Sequence, residues 1–286
     1  MEKTIKTINP FNNNFIANYQ YLNAVRISDS LNISQNSFTS WKFTNVKERV
    51  NFIKTLGFVL TKQQQLLAET CTLEMGKPIK QAIAEVQKCG ILCEYYAENA
   101  ESFLVSKAMK SDAGESFVTY EPLGVILGVM PWNFPYWQVF RFAVPAILAG
   151  NTVLVKHASN VAGCAKLLED IFLEAGFPKG VYQNLFIGSD QVEEVINNPV
   201  IKAVSLTGSE KAGAAVASTA AKQIKKAVLE LGGSNAFIVC EDADIDQAVS
   251  VAVTARMQNT GQSCIAAKRF FVQDSVFDDF IEKRLI

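Results

Sequence analysis

Apolar residues follow two different spacings along the chain. Two early segments carry them at every third or fourth position, which is the spacing of amphipathic helices. These positions are Val46, Val50, Ile53, Leu56 and Leu60 in one segment and Ile79, Ile83, Val86 and Cys93 in the other. Further along, short apolar runs alternate with helix-like stretches, and the runs are Val125–Met130, Thr152–Val155, Ile201–Leu206 and Ala236–Val239. This alternation predicts an α/β fold around a buried parallel sheet.

The stretch 104–122 interrupts this alternation. It is polar, contains Asp112-Ala113-Gly114, and then alternates apolar and polar residues from Phe117 to Tyr120. A turn-forming sequence before an alternating one is typical of a hairpin. We therefore predict a hairpin that protrudes from the α/β core at about 104–122.

The length and charge of the chain limit its architecture and its partners. With 286 residues, 49% of them apolar, the chain is long enough for two domains. Its 27 basic and 28 acidic residues give a net charge of −1, which argues against nucleic acid or an anionic membrane and favours a small-molecule substrate. Residues 1–14 are polar, and no uncharged apolar run reaches the roughly 18 residues of a membrane helix, so we expect a cytoplasmic protein.

The cysteines and the single histidine have no spacing typical of a metal site. The histidine is His157, and the cysteines are Cys71, Cys89, Cys93, Cys164, Cys240 and Cys264. Without a secretion signal this pattern favours reduced thiols, and we expect neither disulfides nor a metal. Cys264 stands apart because it follows a helix-like run in a small, polar loop that contains Gly261. A thiol needs exposure and a base or positive field to become a nucleophilic thiolate, so Cys264 is either a nucleophile or, like most cysteines, a packing residue.

Two further residues have positions that suit catalysis. Glu230 ends an apolar run just before paired glycines. A partly buried carboxylate there could activate water, and a surface glutamate at a turn is the alternative. Asn133 stands between Pro131 and Pro135, directly after a strand-like run. Because the prolines restrict the backbone, the Asn133 amide is either a rigid oxyanion donor or part of a structural turn.

Residues near two strand ends form a possible phosphate-binding set. Lys156 ends the run Val153–Val155, and Thr207-Gly208-Ser209 follows the run Ala203–Leu206. A strand, a tight glycine turn and a helix start would direct backbone N–H groups at a phosphate. The generic GxGxxG fingerprint is absent, so an ordinary βα turn is the alternative.

In chain order, these pieces resemble the aldehyde dehydrogenase superfamily. The matching stretches are 131–135 (PWNFP), Lys156, 207–209 (TGS), 230–233 (ELGG) and 261–264 (GQSC). The resemblance covers nearly the whole chain, and 130–141 and 156–158 are most similar to the succinate-semialdehyde dehydrogenase branch. It implies a Rossmann-like cofactor domain over residues 1–231, with the hairpin as an oligomerisation element. Residues 232–286 would be the incomplete start of a second, catalytic α/β domain.

The resemblance also implies a role for each matching residue. Cys264 would attack an aldehyde, Asn133 and the Cys264 backbone N–H would hold the oxyanion, and hydride would pass to NAD or NADP. Glu230 would then activate the water that hydrolyses the thioester. The residues implied to line the cofactor site are Trp132, Lys156, Ser159, Gly208, Ser209 and Leu231. A full-length chain would form a homo-oligomer.

Departures from the family pattern bear on specificity. Many members have a glutamate that binds the adenosine ribose where this chain has Ser159. A serine in place of this glutamate removes the repulsion between a carboxylate and a 2′-phosphate. We therefore expect the chain to accept NADP as well as NAD. Arg141 matches an arginine that succinate-semialdehyde enzymes use for the substrate carboxylate, which a guanidinium can hold through two hydrogen bonds. Gln258 stands where some of those enzymes have a second arginine.

Two other functions stay open at this point. A cysteine hydrolase would pair Cys264 with His157, although a residue beside the ribose contact is poorly placed for chemistry at Cys264, and we expect His157 to be structural. The chain could also be a non-catalytic remnant that binds a nucleotide or a subunit, because it stops at Ile286, soon after Cys264. We therefore expect a chain truncated within its catalytic domain, with little or no turnover by itself.

Overall fold

The computed structural model describes residues 4–284 and divides the chain into two compact units. Unit 1 ends at Glu230, and unit 2 begins at Leu231. Among the described residues, no helix is both long enough and apolar enough to cross a membrane.

Unit 1 contains two small antiparallel pairs of strands. One pair joins β1 (Thr4–Ile8) to β2 (Phe15–Gln20), which the polar N-terminal sequence did not predict. The other joins β3 (Lys107–Ala108) to β4 (Phe117–Val118), and both of its strands are exposed. This second pair confirms the hairpin predicted within 104–122.

Four helices precede the central sheet of unit 1. They are α1 (Ala24–Trp41), α2 (Val46–Lys62), α3 (Gln64–Met75) and α4 (Ile79–Leu104). Asn23 and Asn45 begin the first two helices by accepting backbone N–H bonds with their side chains. α3 ends at Gly76, whose φ of 82° is a left-handed conformation that glycine adopts without strain. The amphipathic helices predicted from the apolar spacing at 46–60 and 79–93 are therefore confirmed.

The central sheet of unit 1 has five parallel strands in the spatial order β7-β6-β5-β8-β9. They are β5 (Val125–Met130), β6 (Thr152–His157), β7 (Tyr182–Asn184), β8 (Ile201–Thr207) and β9 (Lys226–Glu230). The connections contain α5 (Trp137–Leu148), α6 (Ala162–Glu174), α7 (Val192–Asn197) and α8 (Glu210–Lys222). The chain builds outward from β5 to β7 and then returns to place β8 on the other side of β5. The predicted parallel α/β fold is confirmed.

Two cores lie on opposite faces of this sheet. Side chains alternate between the faces of a strand, so Val153 and Val155 of β6 pack in one core, while Leu154 packs in the other. The first core is shared with α2 to α6, and the second with α1, α7 and α8. Burial on both faces explains why β5, β6 and β8 are nearly continuous apolar runs in the sequence.

Unit 2 is small and has one pair of parallel strands among its described residues. It consists of β10 (Asn235–Val239), α9 (Ile245–Met257), β11 (Ala267–Val272) and α10 (Asp274–Arg284). The sequence after Cys264 predicts a strand over 269–272 and a helix over 277–286. β11 begins two residues before that predicted strand, and α10 begins three residues before that predicted helix. The last two residues of that predicted helix, 285 and 286, lie outside the described residues. A core of Val239, Ala252 and Phe280 joins the strands to the helices.

Candidate active site

The candidate residues of unit 1 lie where its parallel strands end. Parallel strands point in one direction, so their carboxyl ends share one edge of the sheet, and open α/β sheets bind ligands at this edge where the strand order reverses. Here the order reverses between β5 and β8. The candidates near this edge are Trp132, Asn133, Lys156, Ser159, Gly208, Ser209 and Glu230. The sequence predicts Lys156 at the end of its strand; β6 continues one residue further, through His157, so Lys156 lies within the strand.

A buried ion pair holds the loop that carries Asn133. Lys77 and Glu85 are 2.5 Å apart, with side chains 0% and 1% exposed. The Lys77 ammonium also donates a 2.9 Å hydrogen bond to the backbone carbonyl of Asn133, and it lies 4.5 Å from the ring centre of Phe134. Lys77 therefore fixes the backbone at the predicted oxyanion donor.

Glu85 fixes the other end of the same loop. Its Oε1 accepts the backbone N–H groups of Tyr136 and Trp137 at 2.8 and 2.9 Å. These groups lie at the start of α5, where unpaired N–H groups and the helix dipole favour an anion. One buried carboxylate thus joins Lys77 to the helix start, and the segment 133–137 is tied at both ends.

His157 supports this loop from β6. Its ring is buried, and Nε2 lies 3.1 Å from the Pro135 carbonyl oxygen, while Nδ1 lies 3.3 Å from Oδ1 of the Asn184 amide. A neutral imidazole has one donor and one acceptor. Because the Pro135 carbonyl accepts a hydrogen bond from Nε2, Nδ1 of the neutral ring must be an acceptor. Exchanging the amide O and N of Asn184, so that Nδ2 faces the ring, completes both bonds. A buried ring with both nitrogens engaged supports the structural role expected for His157 and argues against a hydrolase base.

We expect His157 to make the fold less stable in mild acid. Burial lowers its pKa from 6.5 to about 4, so between these values the unfolded chain binds a proton that the folded chain excludes. The free energy of unfolding therefore falls as the pH decreases through this range, by about 2 kcal/mol between pH 7 and pH 5. Urea denaturation at both pH values should show that His157→Gln loses about 2 kcal/mol less than the wild type. Equal pH dependence in the two proteins would contradict this explanation.

Glu230 and Arg141 form an ion pair beside the carboxyl edge of the sheet. Arg141, on α5, places its Nη2 3.1 Å from Glu230 Oε1, and the two side chains are 38% and 48% exposed. Glu230 is therefore at the surface, which agrees with the alternative of a surface glutamate at a turn and not with a partly buried base. Its backbone carbonyl also accepts the N–H of Gly208 at 3.0 Å, which ties the end of β9 to the glycine turn after β8.

The remaining candidates of unit 1 offer hydrogen-bond donors. Burial lowers the pKa of Lys156, so a bound anion would stabilise its charged form. Ser209 caps α8 by accepting the N–H of Ala212, and the start of this helix presents further N–H groups. Ser159 is exposed just after β6. An ammonium, hydroxyls and helix N–H groups suit the phosphates and hydroxyls of a nucleotide.

Cys264 lies in unit 2, in the half-buried loop between α9 and β11. Three consecutive residues before it have left-handed backbones, with φ of 53° at Asn259, 56° at Thr260 and 72° at Gly261. Asparagine and glycine tolerate this conformation, whereas a β-branched threonine resists it. A 3.1 Å hydrogen bond from Arg256 to the Gly261 carbonyl closes the turn. Leu231, the other candidate of unit 2, is exposed at the start of this unit.

Exposure separates Cys264 from most of the other cysteines. Cys71, Cys89, Cys93 and Cys164 are fully buried, and Cys240 is exposed. Burial raises the pKa of Cys93 to about 12 and that of Cys89 and Cys164 well above the usual range. The buried thiols are therefore packing residues.

Sequence reasoning missed Lys77 and Glu85. A signal for Glu85 was present, because it lies on the same face of α4 as Ala82, Val86 and Cys89, which are buried. A carboxylate among apolar positions must find a partner, since an unpaired buried charge is costly. The sequence does not reveal that part of this partner is the backbone of the Asn133 loop.

The strand order and direction define unit 1 as a doubly wound α/β domain of the Rossmann type. The sequence profile of the aldehyde dehydrogenase family matches residues 1–285, and the chain belongs to this family.

Close relatives point to one branch of the family. The chain is 51% identical over 279 residues to a probable succinate-semialdehyde dehydrogenase (NADP+) of Synechocystis sp. This alignment covers 98% of this chain and 62% of that protein. It is 44% identical over 277 residues to a succinate semialdehyde dehydrogenase (NAD(P)+) of Escherichia coli, covering 97% of this chain and 60% of that protein. The chain thus spans 60% to 62% of the length of these two relatives.

A solved structure matches the fold closely. Succinic semialdehyde dehydrogenase from Streptococcus pyogenes, in complex with NADP+ as the cofactor, aligns with a TM-score of 0.95 at 37% identity. The match covers 98% of this chain and 62% of that one.

Proposed function

We propose that this chain supplies the nucleotide-binding domain and the nucleophile of an NAD(P)-dependent dehydrogenase that oxidises succinate semialdehyde to succinate. The contact between Arg141 and Glu230 carries this proposal. It brings a guanidinium that can hold a substrate carboxylate next to the carboxylate expected to activate water. The Synechocystis and Escherichia coli relatives, named as NADP+- and NAD(P)+-dependent succinate-semialdehyde dehydrogenases, support the same substrate and cofactors.

Named residues of this chain perform the nucleophilic attack, the stabilisation of the oxyanion and the proton transfer from water. The Cys264 thiolate forms a bond to the aldehyde carbon, and the Asn133 amide and the Cys264 N–H stabilise the resulting oxyanion. Lys156, Ser159 and the start of α8 would hold NAD(P)+, which when bound would supply the hydride acceptor for this carbon. Cys264 then holds a thioester, Glu230 takes a proton from the attacking water, and the acid leaves as the thiolate returns.

The donor set of unit 1 supports both forms of the cofactor. Lys156 and the start of α8 offer positive charge and N–H groups for phosphates and hydroxyls. Ser159 has a neutral hydroxyl. It can accept a hydrogen bond from a ribose hydroxyl, and it does not repel a 2′-phosphate. We therefore propose that NADP is used as well as NAD.

The proposal is tested by aldehyde-dependent reduction of each nucleotide. We would compare the 286-residue chain with an extended version that adds the segments of the Synechocystis relative that this chain does not cover. The proposal expects succinate semialdehyde oxidation by the extended version. Nucleotide binding without turnover in both proteins would overturn the proposal and favour the non-catalytic alternative.

Arg141→Met should selectively weaken the use of a carboxylate substrate. Charge-assisted hydrogen bonds contribute about 1.5–3 kcal/mol, so the KM for succinate semialdehyde should rise by about 10- to 100-fold in the extended version. Butanal has a similar length and no carboxylate, so its KM should change little. A similar increase for both aldehydes would mean that Arg141 acts through Glu230 or the fold and does not bind the carboxylate.

A further inference from the structure

Lys268 lies in a bulge at the start of β11. Asn235 and Ala236 are neighbours in β10, but they pair with Ala267 and Arg269 of β11, so β11 has one residue more than its partner. A bulge takes the extra residue out of the strand pairing and redirects its side chain, and bulges are frequent beside functional sites.

The Lys268 ammonium bonds to backbone carbonyls on both sides of the nucleophile loop. Its Nζ lies 2.6 Å from the oxygen of Gly233, 3.0 Å from that of Ser263 and 3.2 Å from that of Cys264. An ammonium has three donors, and these contacts use all of them. Gly233 permits the close approach, because a Cβ there would lie 3.1 Å from the Cys264 oxygen.

The contact between Lys268 and the Ser263 oxygen involves the peptide group whose N–H is the proposed oxyanion donor. The Ser263 carbonyl and the Cys264 N–H belong to the same planar peptide. A cation bonded to the carbonyl fixes the orientation of that plane. It also polarises the peptide, which strengthens the N–H at the opposite end as a donor.

We propose that Lys268 is a positioning residue that holds and polarises the Ser263–Cys264 peptide, so that the Cys264 N–H stabilises the oxyanion formed at Cys264. The inference rests on the proposed function, in which this N–H is an oxyanion donor. It adds a role for a side chain that does not belong to the predicted site.

Two reagents separate this role from general reactivity of the thiol. Iodoacetamide alkylates a thiolate by displacing iodide, and no oxyanion forms. p-Nitrophenyl acetate acylates it: the C–S bond forms through a tetrahedral oxyanion, and nitrophenolate leaves with the electron pair of the broken C–O bond. Peptide mass spectrometry of the 286-residue chain measures both rates at Cys264, and the exposed Cys240 serves as the internal reference.

The ratio of acylation to alkylation at Cys264 is the readout. Lys268→Met should lower this ratio by about tenfold, because a misplaced oxyanion donor slows acylation alone. Lys268→Arg keeps a cationic donor and should recover part of it. Lys283→Met removes the same charge from an exposed ion pair with Asp246 in unit 2 and should leave the ratio unchanged.

The outcomes distinguish this inference from the proposed function. Equal loss of both rates in Lys268→Met would indicate a loosened loop and overturn the inference, as would an unchanged ratio. Thermal unfolding of each variant identifies loss of structure. If wild-type Cys264 reacts with the ester no faster than Cys240, the proposed function fails and the inference fails with it. A reactive Cys264 that is indifferent to Lys268 overturns the inference alone.

Discussion

Cys264→Ser is expected to abolish aldehyde-dependent reduction of NAD and NADP in the extended version. The loss should be on the order of 10⁴-fold or more, because a serine hydroxyl is ionised far less readily than a thiol and the thioester cannot form. Nucleotide binding should persist, since the candidate nucleotide residues of unit 1 are untouched. Initial rates with succinate semialdehyde measure the first effect, and a direct titration with each nucleotide measures the second.

Cys240→Ser is the matched control for this prediction. Both cysteines belong to unit 2, and Cys240 is the more exposed of the two. This variant should retain its turnover. Iodoacetamide should label Cys264 and Cys240 before the four buried cysteines of unit 1. Rapid labelling of Cys71 or Cys164 with an inert Cys264 would show that the nucleophile assignment is wrong.

The central strands of unit 1 could be predicted because they are buried on both faces. β5, β6 and β8 lie between two cores, so nearly every position is apolar and the runs stand out in the sequence. β2 was missed because no residue in it is fully buried. α1 was missed because its apolar residues are spread thinly among polar ones, and only Ile27, Leu31, Ser34 and Trp41 are buried. β2 and α1 therefore lack the dense apolar pattern that marks the central strands.

Some residues of the candidate site could be predicted from the sequence, and others could not. Asn133, Gly208 and Glu230 follow strands or end them, and a strand end can be read from the sequence. Lys77 and Lys268 act on backbone carbonyls, which every residue possesses, so no sequence pattern marks their partners. Lys77 reaches a carbonyl 56 positions away, and Lys268 depends on a bulge that shifts the strand pairing by one residue. Such contacts require the tertiary structure.

Lys77→Met is expected to destabilise unit 1 by about 3–5 kcal/mol, because removing one partner of a buried ion pair leaves an uncompensated charge. The Glu85 carboxylate would keep its hydrogen bonds from the N–H groups of Tyr136 and Trp137. It would lose its cationic partner, although its side chain is only 1% exposed to solvent. The Asn133 carbonyl would lose its ammonium donor at the same time. Denaturant unfolding measures the loss, and tryptophan fluorescence is a suitable signal because Trp132 and Trp137 flank this loop.

A second variant separates the buried charge from the lost contacts. In Lys77→Met/Glu85→Gln, the glutamine oxygen can still accept the N–H groups at the start of α5, and no unpaired charge is left in the core. The double variant should therefore be more stable than Lys77→Met. Lys62→Met is the matched control, since it breaks an exposed ion pair with Glu174, with side chains 60% and 37% exposed, and should cost less than about 1 kcal/mol. If Lys77→Met cost no more than Lys62→Met, the buried pair would not hold the Asn133 loop, and the rigid oxyanion donor would need another support.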